Sequence, residues 1–127
     1  MEKTVIHAIN ALPGWLSIHE GQFLHKAASQ VKDKDGSIVE IGSFQGKSTI
    51  YLAKTGQPVY AIDPHEGSLD HGVRTPSTLS AFKKNIRDFE VENNITLIKK
   101  TSQSAAQNWD KKIKVRLQNV IMNLVIR

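Results

Sequence analysis

A glycine-bearing turn between Glu40 and Ser48 is the part of the sequence best suited to hold a ligand. The apolar run at 39–41 ends at Gly42, and Gly46 follows just before a helix-forming segment. Glycines permit a tight turn and let a ligand approach the backbone, while the first turn of a helix offers unpaired amide donors. The segment therefore predicts a binding site where a strand ends and a helix begins.

An acidic residue follows the next predicted strand, at a spacing that fits the same site. Asp63 lies 21 residues after Gly42, directly after the apolar run at 59–62. Open parallel sheets bind their ligands outside the carboxyl ends of the strands, where neighbouring strand ends form one crevice. Asp63 is then expected beside the glycine turn, as an acceptor for the hydroxyl groups of a ribose.

The same turn also resembles the phosphate-binding loop of NTPases, which has four residues between its first glycine and the Gly-Lys pair. Here only three residues separate Gly42 from Gly46 and Lys47, which changes the size of the cradle. Glu40 would repel a triphosphate but would suit a ligand with hydroxyl groups and a cationic amino group. We therefore rank an NTPase lower and interpret Lys47 as a solvated residue. The other alternative is that Gly42 and Gly46 form a purely structural turn and that Asp63 only caps the turn at Pro64.

Helix and strand signals alternate along the chain and predict an α/β fold with a mostly parallel sheet. Ser17 and Glu20 match a capping box, and the helix that they begin ends before Gly36. The remaining predicted elements are strands at 37–41, 59–62 and 95–98, helices at 46–54, from Thr75-Pro76 through Phe89 and from a Ser102 cap through Trp109, and a fourth strand that begins at 113–115.

Two further groups of residues could bind a metal or pack in the core. The region 65–74 carries the metal-capable side chains of His65, Glu66, Asp70 and His71. It has no helical i, i+4 pair of ligands, so we interpret it as a solvated loop and predict no metal site. Trp15 and Trp109 are predicted to pack in the core or at its rim.

Composition and charge exclude several classes of protein. The chain has no cysteine, which excludes disulfides and thiol nucleophiles, and no apolar stretch approaches the roughly 18 residues of a membrane span. We expect a cytoplasmic protein without a membrane partner. Residues 1–110 carry 12 basic and 12 acidic residues, so the whole net charge of +5 lies in 111–127. This basic segment has no aromatic residue for base stacking, and we predict no nucleic-acid partner.

The acid-x-Gly-xxx-Gly pattern from Glu40 to Gly46, with an acid ending the second strand, resembles the cofactor site of class I S-adenosylmethionine-dependent methyltransferases. Three segments resemble a branch of small methyltransferases often found near sugar-modifying genes: Gly14-Trp15-Leu16 before a helix with Glu20-Gly21, Val39 to Thr49, and Ala61 to His65. The resemblance covers residues 13 to about 110. It implies a Rossmann-like three-layer sandwich, S-adenosylmethionine as cofactor and a small-molecule acceptor such as a sugar hydroxyl.

The resemblance also implies roles for individual residues. The methionine moiety would be lined by Glu40 and the glycine turn, Asp63 would hold the ribose, and the segment 101–103 would approach the adenine. The implied cofactor-binding set is Glu40, Gly42, Ser43, Phe44, Gly46, Ser48, Asp63, Pro64 and Ser102.

The chain departs from the family pattern after the fourth strand. Relatives carry an acidic turn there, commonly Asp-Gly-Asp-His, which contributes to cofactor, divalent-metal or catalytic-base positions, whereas no acid, glycine or histidine follows Asp110 here. The catalytic residues are therefore unknown. We expect a single domain with a helical segment (1–36), a cofactor-binding core (37–110) and an atypical tail (111–127), incomplete on its C-terminal side through truncation or a frameshift. The alternative is a non-catalytic nucleotide-binding or dimerising module.

The apolar residues at 113–126 predict self-association. Nine of these 14 positions are Ile, Val, Leu or Met, and little sequence follows to cover a sheet edge. An uncovered edge and apolar face favour pairing with another chain, so we expect a homo-oligomer.

Overall fold

Helices and strands alternate in the computed structural model, which describes residues 1–67, 69–70 and 72–120. The helices are α1 (Lys3–Asn10), α2 (Ile18–Gln30), α3 (Lys47–Ala53), α4 (Leu79–Asp88) and α5 (Ser102–Gln107), with a 3₁₀ turn at Glu92–Asn94. The strands are β1 (Ser37–Ile41), β2 (Val59–Ile62), β3 (Leu69–Asp70), β4 (Val73–Arg74), β5 (Ile95–Ile98) and β6 (Val115–Val120).

A sheet of four parallel strands, in the order β5-β2-β1-β6, forms the centre of the fold. In the β1–β2 pair, Ile38 lies opposite Val59 and Ile41 lies opposite Ile62. Parallel neighbours need a crossover connection, which α3 provides between β1 and β2, and α4 between β2 and β5. The predicted α/β class and parallel sheet are confirmed.

Helices cover both faces of this sheet. On one face, alternate side chains of β1 and β2 pack with residues from the first four helices: Ile38, Val59 and Ala61 lie against Ile9, Ala28, Leu52 and Phe82. On the other face, Val39 and Ile62 pack with Ala105 of α5, and Trp109 lies at the margin of this layer. The Rossmann-like three-layer sandwich that the resemblance implied is therefore confirmed.

The N-terminal segment contains one helix more than predicted. Ser17 caps α2 as expected, since its hydroxyl accepts a hydrogen bond from the Glu20 amide at 3.1 Å. The sequence pattern did not predict α1, which has no side-chain cap at Glu2. Its inner residues Ile6 and Ile9 are buried, so packing against the rest of the fold stabilises this short helix.

Two helices begin at residues other than those predicted. α4 begins at Leu79 and not at Thr75-Pro76, because Ser77 and Thr78 form hydrogen bonds with His65. The Ser77 hydroxyl and the Thr78 amide both donate to the His65 carbonyl. α5 is capped by Thr101, whose hydroxyl accepts from the Ser104 amide at 3.1 Å. Ser102 is therefore the first residue of α5 rather than its cap, and α5 ends at Gln107, before Trp109.

The connection between β2 and α4 is more ordered than a solvated loop. Its β3 and β4 strands form a short antiparallel hairpin. His65 is only 1% exposed, places Nδ1 2.8 Å from the Thr78 hydroxyl and packs its ring 4.9 Å from that of Phe82. The solvated-loop prediction is wrong for His65, while Glu66 is exposed and His71 lies outside the described residues. Within the described ranges, no cluster of three His, Asp or Glu could hold a metal.

The first part of the basic segment belongs to the sheet. β6 begins at Val115, two residues after the start of the predicted fourth strand, and pairs with β1 through a bulge at Ser37/Ile38 that leaves Arg116 without a partner residue. The Arg116 guanidinium donates to the carbonyls of Gly36 and Lys32, at 2.5 and 3.0 Å, and to the side chain of Gln57 at 3.0 Å. Lys114 Nζ lies 2.8 Å from an oxygen of Asp35. Lys114 and Arg116 therefore form an ion pair and hydrogen bonds that the local charge pattern did not reveal.

Two expectations concern the surroundings of the protein. None of the helices in the described ranges is long and apolar enough to cross a membrane. The homo-oligomer prediction drew on residues 113–126, of which 121–126 lie outside the described residues. β6 forms one margin of the described sheet, with Val115 47% exposed. Self-association stays a prediction.

Replacement of Gly36 should destabilise the fold. Gly36 has φ +119°, and a Cβ there would lie 2.7 Å from the Lys114 carbonyl oxygen. Gly36→Ala should therefore lower the free energy of unfolding by about 2 kcal/mol or more in chemical denaturation. Gly56→Ala is the matched control, since Gly56 has φ +81° but no atom within 4 Å of such a Cβ. Equal losses in the two variants would contradict a steric constraint at β6.

The stability of the protein should fall in mild acid because of His65. Burial lowers the pKa of His65 below its ordinary value of 6.5, Asp63 opposes this effect and Lys99 adds to it. Below about pH 6.5, the unfolded chain then binds more protons at this residue than the native chain, so the free energy of unfolding decreases as the pH falls. Denaturation between about pH 7.5 and 5 should show a smaller decrease in His65→Gln than in the parent. An equal slope in His65→Gln and in the parent would refute the assignment.

Candidate functional site

The residues that follow β1, β2 and β5 lie side by side at the carboxyl edge of the sheet. The Gly42 amide donates to the Ile62 carbonyl at 2.9 Å, and the Asp63 amide donates to the Ile98 carbonyl at 3.1 Å. These hydrogen bonds continue the strand pairing to the last residues of the strands. The glycine turn, Asp63 and the segment before α5 therefore form one edge, as the sequence predicted.

The β1–α3 turn contains three left-handed backbone conformations. The φ angles are +87° at Gly42, +50° at Phe44 and +93° at Gly46. The Gly46 amide closes the turn by donating to the Ser43 carbonyl at 2.8 Å. A Cβ at Gly46 would lie 3.3 Å from the Phe82 ring, so the glycine satisfies the backbone conformation and the packing beneath the turn. The glycine-dependent strand-to-helix turn is confirmed.

The Asp63 carboxylate joins the two strand ends. One oxygen accepts from the Phe44 amide at 2.9 Å, and the other accepts from the His65 amide at 2.8 Å. Asp63 therefore caps its own turn and also holds the β1–α3 turn in place. Because a carboxylate oxygen can accept two hydrogen bonds, each Asp63 oxygen retains capacity for a ligand hydroxyl.

Glu40 connects β1 to α3 through a hydrogen bond of its side chain. Its side chain is fully buried, and it accepts a hydrogen bond from the hydroxyl of Thr49, which is also fully buried. A buried carboxylate requires such donors to offset its lost hydration. Contact between Glu40 and a ligand stays a prediction. Thr49 was not predicted as part of the site, because nothing in the local pattern marks a helix residue as the partner of a strand carboxylate.

Lys47 is buried and not solvated as predicted. It is 7% exposed, and burial lowers the pKa of its ammonium group. Its stem lies beneath the segment before α2, where a Cβ at Gly14 would be 3.3 Å from Lys47 Cδ. The prediction failed because the covering segment is remote in sequence. Nearby in the turn, the Ser43 hydroxyl is buried and has no hydrogen-bond partner in the part of the chain that the structure describes.

An aromatic contact joins the segment before α2 to the turn. The rings of Trp15 and Phe44 lie 5.5 Å apart at an angle of 44°. Trp15 is 55% exposed, so it occupies the rim and not the core. Trp109 packs against Tyr60 on the opposite face of the sheet, with ring centroids 6.0 Å apart.

The residues implied to bind the cofactor all lie at or near this edge. The structure places Gly42, Ser43, Phe44 and Gly46 in the turn, Glu40 in β1, Ser48 in α3, Asp63 and Pro64 after β2, and Ser102 at the start of α5. Ser48 is buried, Pro64 is half-buried and Ser102 is exposed. The edge thus combines backbone donors, a carboxylate acceptor and hydroxyl groups in one row, which suits a polar ligand that extends across several strand ends.

Comparison with known proteins identifies a family that this chain matches. The methyltransferase-domain family matches residues 39–120, a range that contains all the residues of this candidate site. Among solved structures, the O-methyltransferase TomG of Streptomyces achromogenes, in complex with SAM, has a TM-score of 0.63 at 17% identity, with 87% of this chain and 49% of that chain covered. The O-methyltransferase of Bacillus cereus, in complex with SAH, has a TM-score of 0.57 at 23% identity, with coverages of 83% and 44%.

A methyltransferase of Podospora anserina, bound to SAH, has a TM-score of 0.64 at 15% identity, with 87% of this chain and 47% of that chain covered. This chain therefore spans less than half the length of these solved structures, and at such identities the likeness concerns the fold. The family match, in contrast, extends over more than half of this chain and follows the sheet from β1 to β6. The chain belongs to the methyltransferase-domain family.

Proposed function

We propose that this chain binds S-adenosylmethionine at the carboxyl edge of its sheet and contributes the cofactor-binding half of a small-molecule O-methyltransferase. The observation that carries the proposal is the position of Asp63, which follows β2 and bonds to the Phe44 amide in the β1–α3 turn at 2.9 Å. The proposed hydrogen-bond acceptor for the ribose and the glycine turn are thereby held together before any ligand binds.

The residues present fit this cofactor. The Asp63 carboxylate retains acceptor capacity for the two ribose hydroxyls. The buried Ser43 hydroxyl is without a partner, which leaves it for a polar group of the ligand. Ser102 begins α5 beyond β5 and is exposed, and we propose that the segment around it approaches the adenine. The three solved structures compared above were determined with SAM or SAH, which supports the same ligand here.

The acceptor is proposed to be a hydroxyl group of a small molecule, with a sugar hydroxyl as the specific candidate. Two similar structures are named as O-methyltransferases, and one of these enzymes is involved in tomaymycin synthesis. The cofactor supplies a methyl group bound to a sulfonium. The acceptor oxygen forms a bond to the methyl carbon while the carbon–sulfur bond breaks, and the acceptor proton passes to a base.

The base and the acceptor pocket are not assigned to residues of this chain. The matched structures are more than twice as long as the part that this chain covers. We propose that the base, and any divalent metal that assists it, belongs to the part of the fold beyond the matched half. A positioned base contributes roughly a hundred- to ten-thousandfold to such a reaction, so methyl transfer by these 127 residues alone should be slow or absent.

Calorimetry with two ligands tests the cofactor proposal directly. S-adenosylhomocysteine should bind at a single saturable site, whereas ATP under the same conditions should bind much more weakly, since the turn lacks the size of a phosphate cradle. 5′-Methylthioadenosine, which keeps the nucleoside, should bind at the same site and compete. Binding of ATP without binding of S-adenosylhomocysteine would favour the NTPase alternative and reject the proposal.

Substitution of Asp63 tests the ribose contact. Asp63→Ala should weaken binding of S-adenosylhomocysteine by about ten- to a hundredfold, the effect of removing a charged hydrogen-bond acceptor. Asp110→Ala is the matched control, because Asp110 likewise accepts from the amide two residues later, that of Lys112, at 3.0 Å. Thermal unfolding should show that both variants are folded. A folded Asp63→Ala protein with the affinity of the parent would disprove the contact.

A further inference from the structure

Lys47 has a role that the cofactor-binding pattern does not assign. We infer that its ammonium group binds the amino-acid carboxylate of the cofactor, so that the chain selects ligands that carry this group. The inference rests on the proposed function and makes it more specific, since it identifies the residue that binds the amino-acid end of the ligand, opposite the adenine.

Lys47 is a buried cation without a protein partner. It is 7% exposed and forms no hydrogen bond or ion pair with any residue in the described ranges. Lysines are almost never this deeply buried unless they are paired, because the lost hydration of the ammonium must be offset. The Gly14 backbone covers its stem, whereas Nζ is not among the fully buried unpartnered atoms and can be reached from outside the chain. An anion from outside the chain would supply the missing partner.

The position of Lys47 places it beside the proposed ligand. It follows Gly46 directly, at the point where the β1–α3 turn enters α3. The segment that covers it continues into Trp15, whose ring contacts Phe44 of the same turn at 5.5 Å. Lys47 therefore lies between the turn and the covering segment. The Ser43 hydroxyl, 2% exposed and also without a partner, begins the same turn.

The charges and hydrogen-bonding groups at the two ends of the site favour a ligand with a carboxylate group near Lys47. Asp63 stands after β2 and is the acceptor for the nucleoside, which leaves the β1–α3 turn for the amino-acid end of the ligand. An ammonium group repels the amino group and the sulfonium of S-adenosylmethionine, and attracts only its carboxylate. A lysine ammonium and a serine hydroxyl are both donors, and a carboxylate accepts strong charge-assisted hydrogen bonds from such groups.

A cycle of two proteins and two ligands tests the inference by calorimetry. The ligands are S-adenosylhomocysteine and S-adenosyl-3-thiopropylamine, which keeps the nucleoside, the thioether and the amino group but has no carboxylate. The parent should bind the first ligand about ten- to a hundredfold more tightly than the second. Lys47→Met, which keeps the apolar stem, should lose most of this preference, and only the part due to the Ser43 hydroxyl should remain. The matched control Lys83→Met, at an exposed position of α4, should keep the preference of the parent.

The outcomes separate the inference from the proposed function. A folded Lys47→Met protein that still prefers the carboxylate-bearing ligand by the parental factor would overturn the role of Lys47 alone. Failure of the parent to bind S-adenosylhomocysteine would overturn the proposed function together with this inference. Thermal unfolding of the ligand-free variant establishes that it is folded, and Lys47→Gln provides the same comparison if the methionine variant does not fold.

Discussion

The Asp63 carboxylate is the contact on which the arrangement of the site depends. It bonds at the same time to the Phe44 amide in one connection and to its own turn at His65. Without it, the left-handed turn after β1 and the end of β2 would have no side-chain bond between them in the described structure. A group that both orders a site and contacts the ligand prepares the site before binding, so little ordering remains to oppose association. In the proposed complex, the Asp63 carboxylate would both order the site and accept from the ribose hydroxyls.

The sequence was most informative where function depends on the local backbone. The glycines at 42 and 46 and the acid at the end of β2 could be predicted, because a sharp strand-to-helix turn and a strand end depend on nearby residues. Lys47 and His65 could not be predicted as buried, since Gly14 covers one and Thr78 and Phe82 enclose the other. Both appeared solvated because their immediate neighbours are polar, whereas their environment is formed by remote segments.

The charge pattern of the C-terminal segment did not reveal its contacts, for a related reason. After Asp110 the sequence has only basic charges, which suggested an atypical tail. In the structure, Lys114 pairs with Asp35, and the bulge in β6 directs Arg116 to the turn between α2 and β1. A bulge changes the direction of a side chain in a way that composition does not reveal. The strand is thus held at the amino edge of the sheet, while the candidate site occupies the carboxyl edge.

This division between the two edges bears on how the domain could evolve. The five residues of β1 separate Arg116 and its partners from the site by about 16 Å. Effects of substitutions this far apart, with no shared contacts, are usually additive. Substitutions at the candidate site can therefore accumulate without loss of the Arg116 contacts at the amino edge. A lineage with this fold can thus acquire new ligands while the contacts that stabilise the fold are maintained at the other end of the same strand.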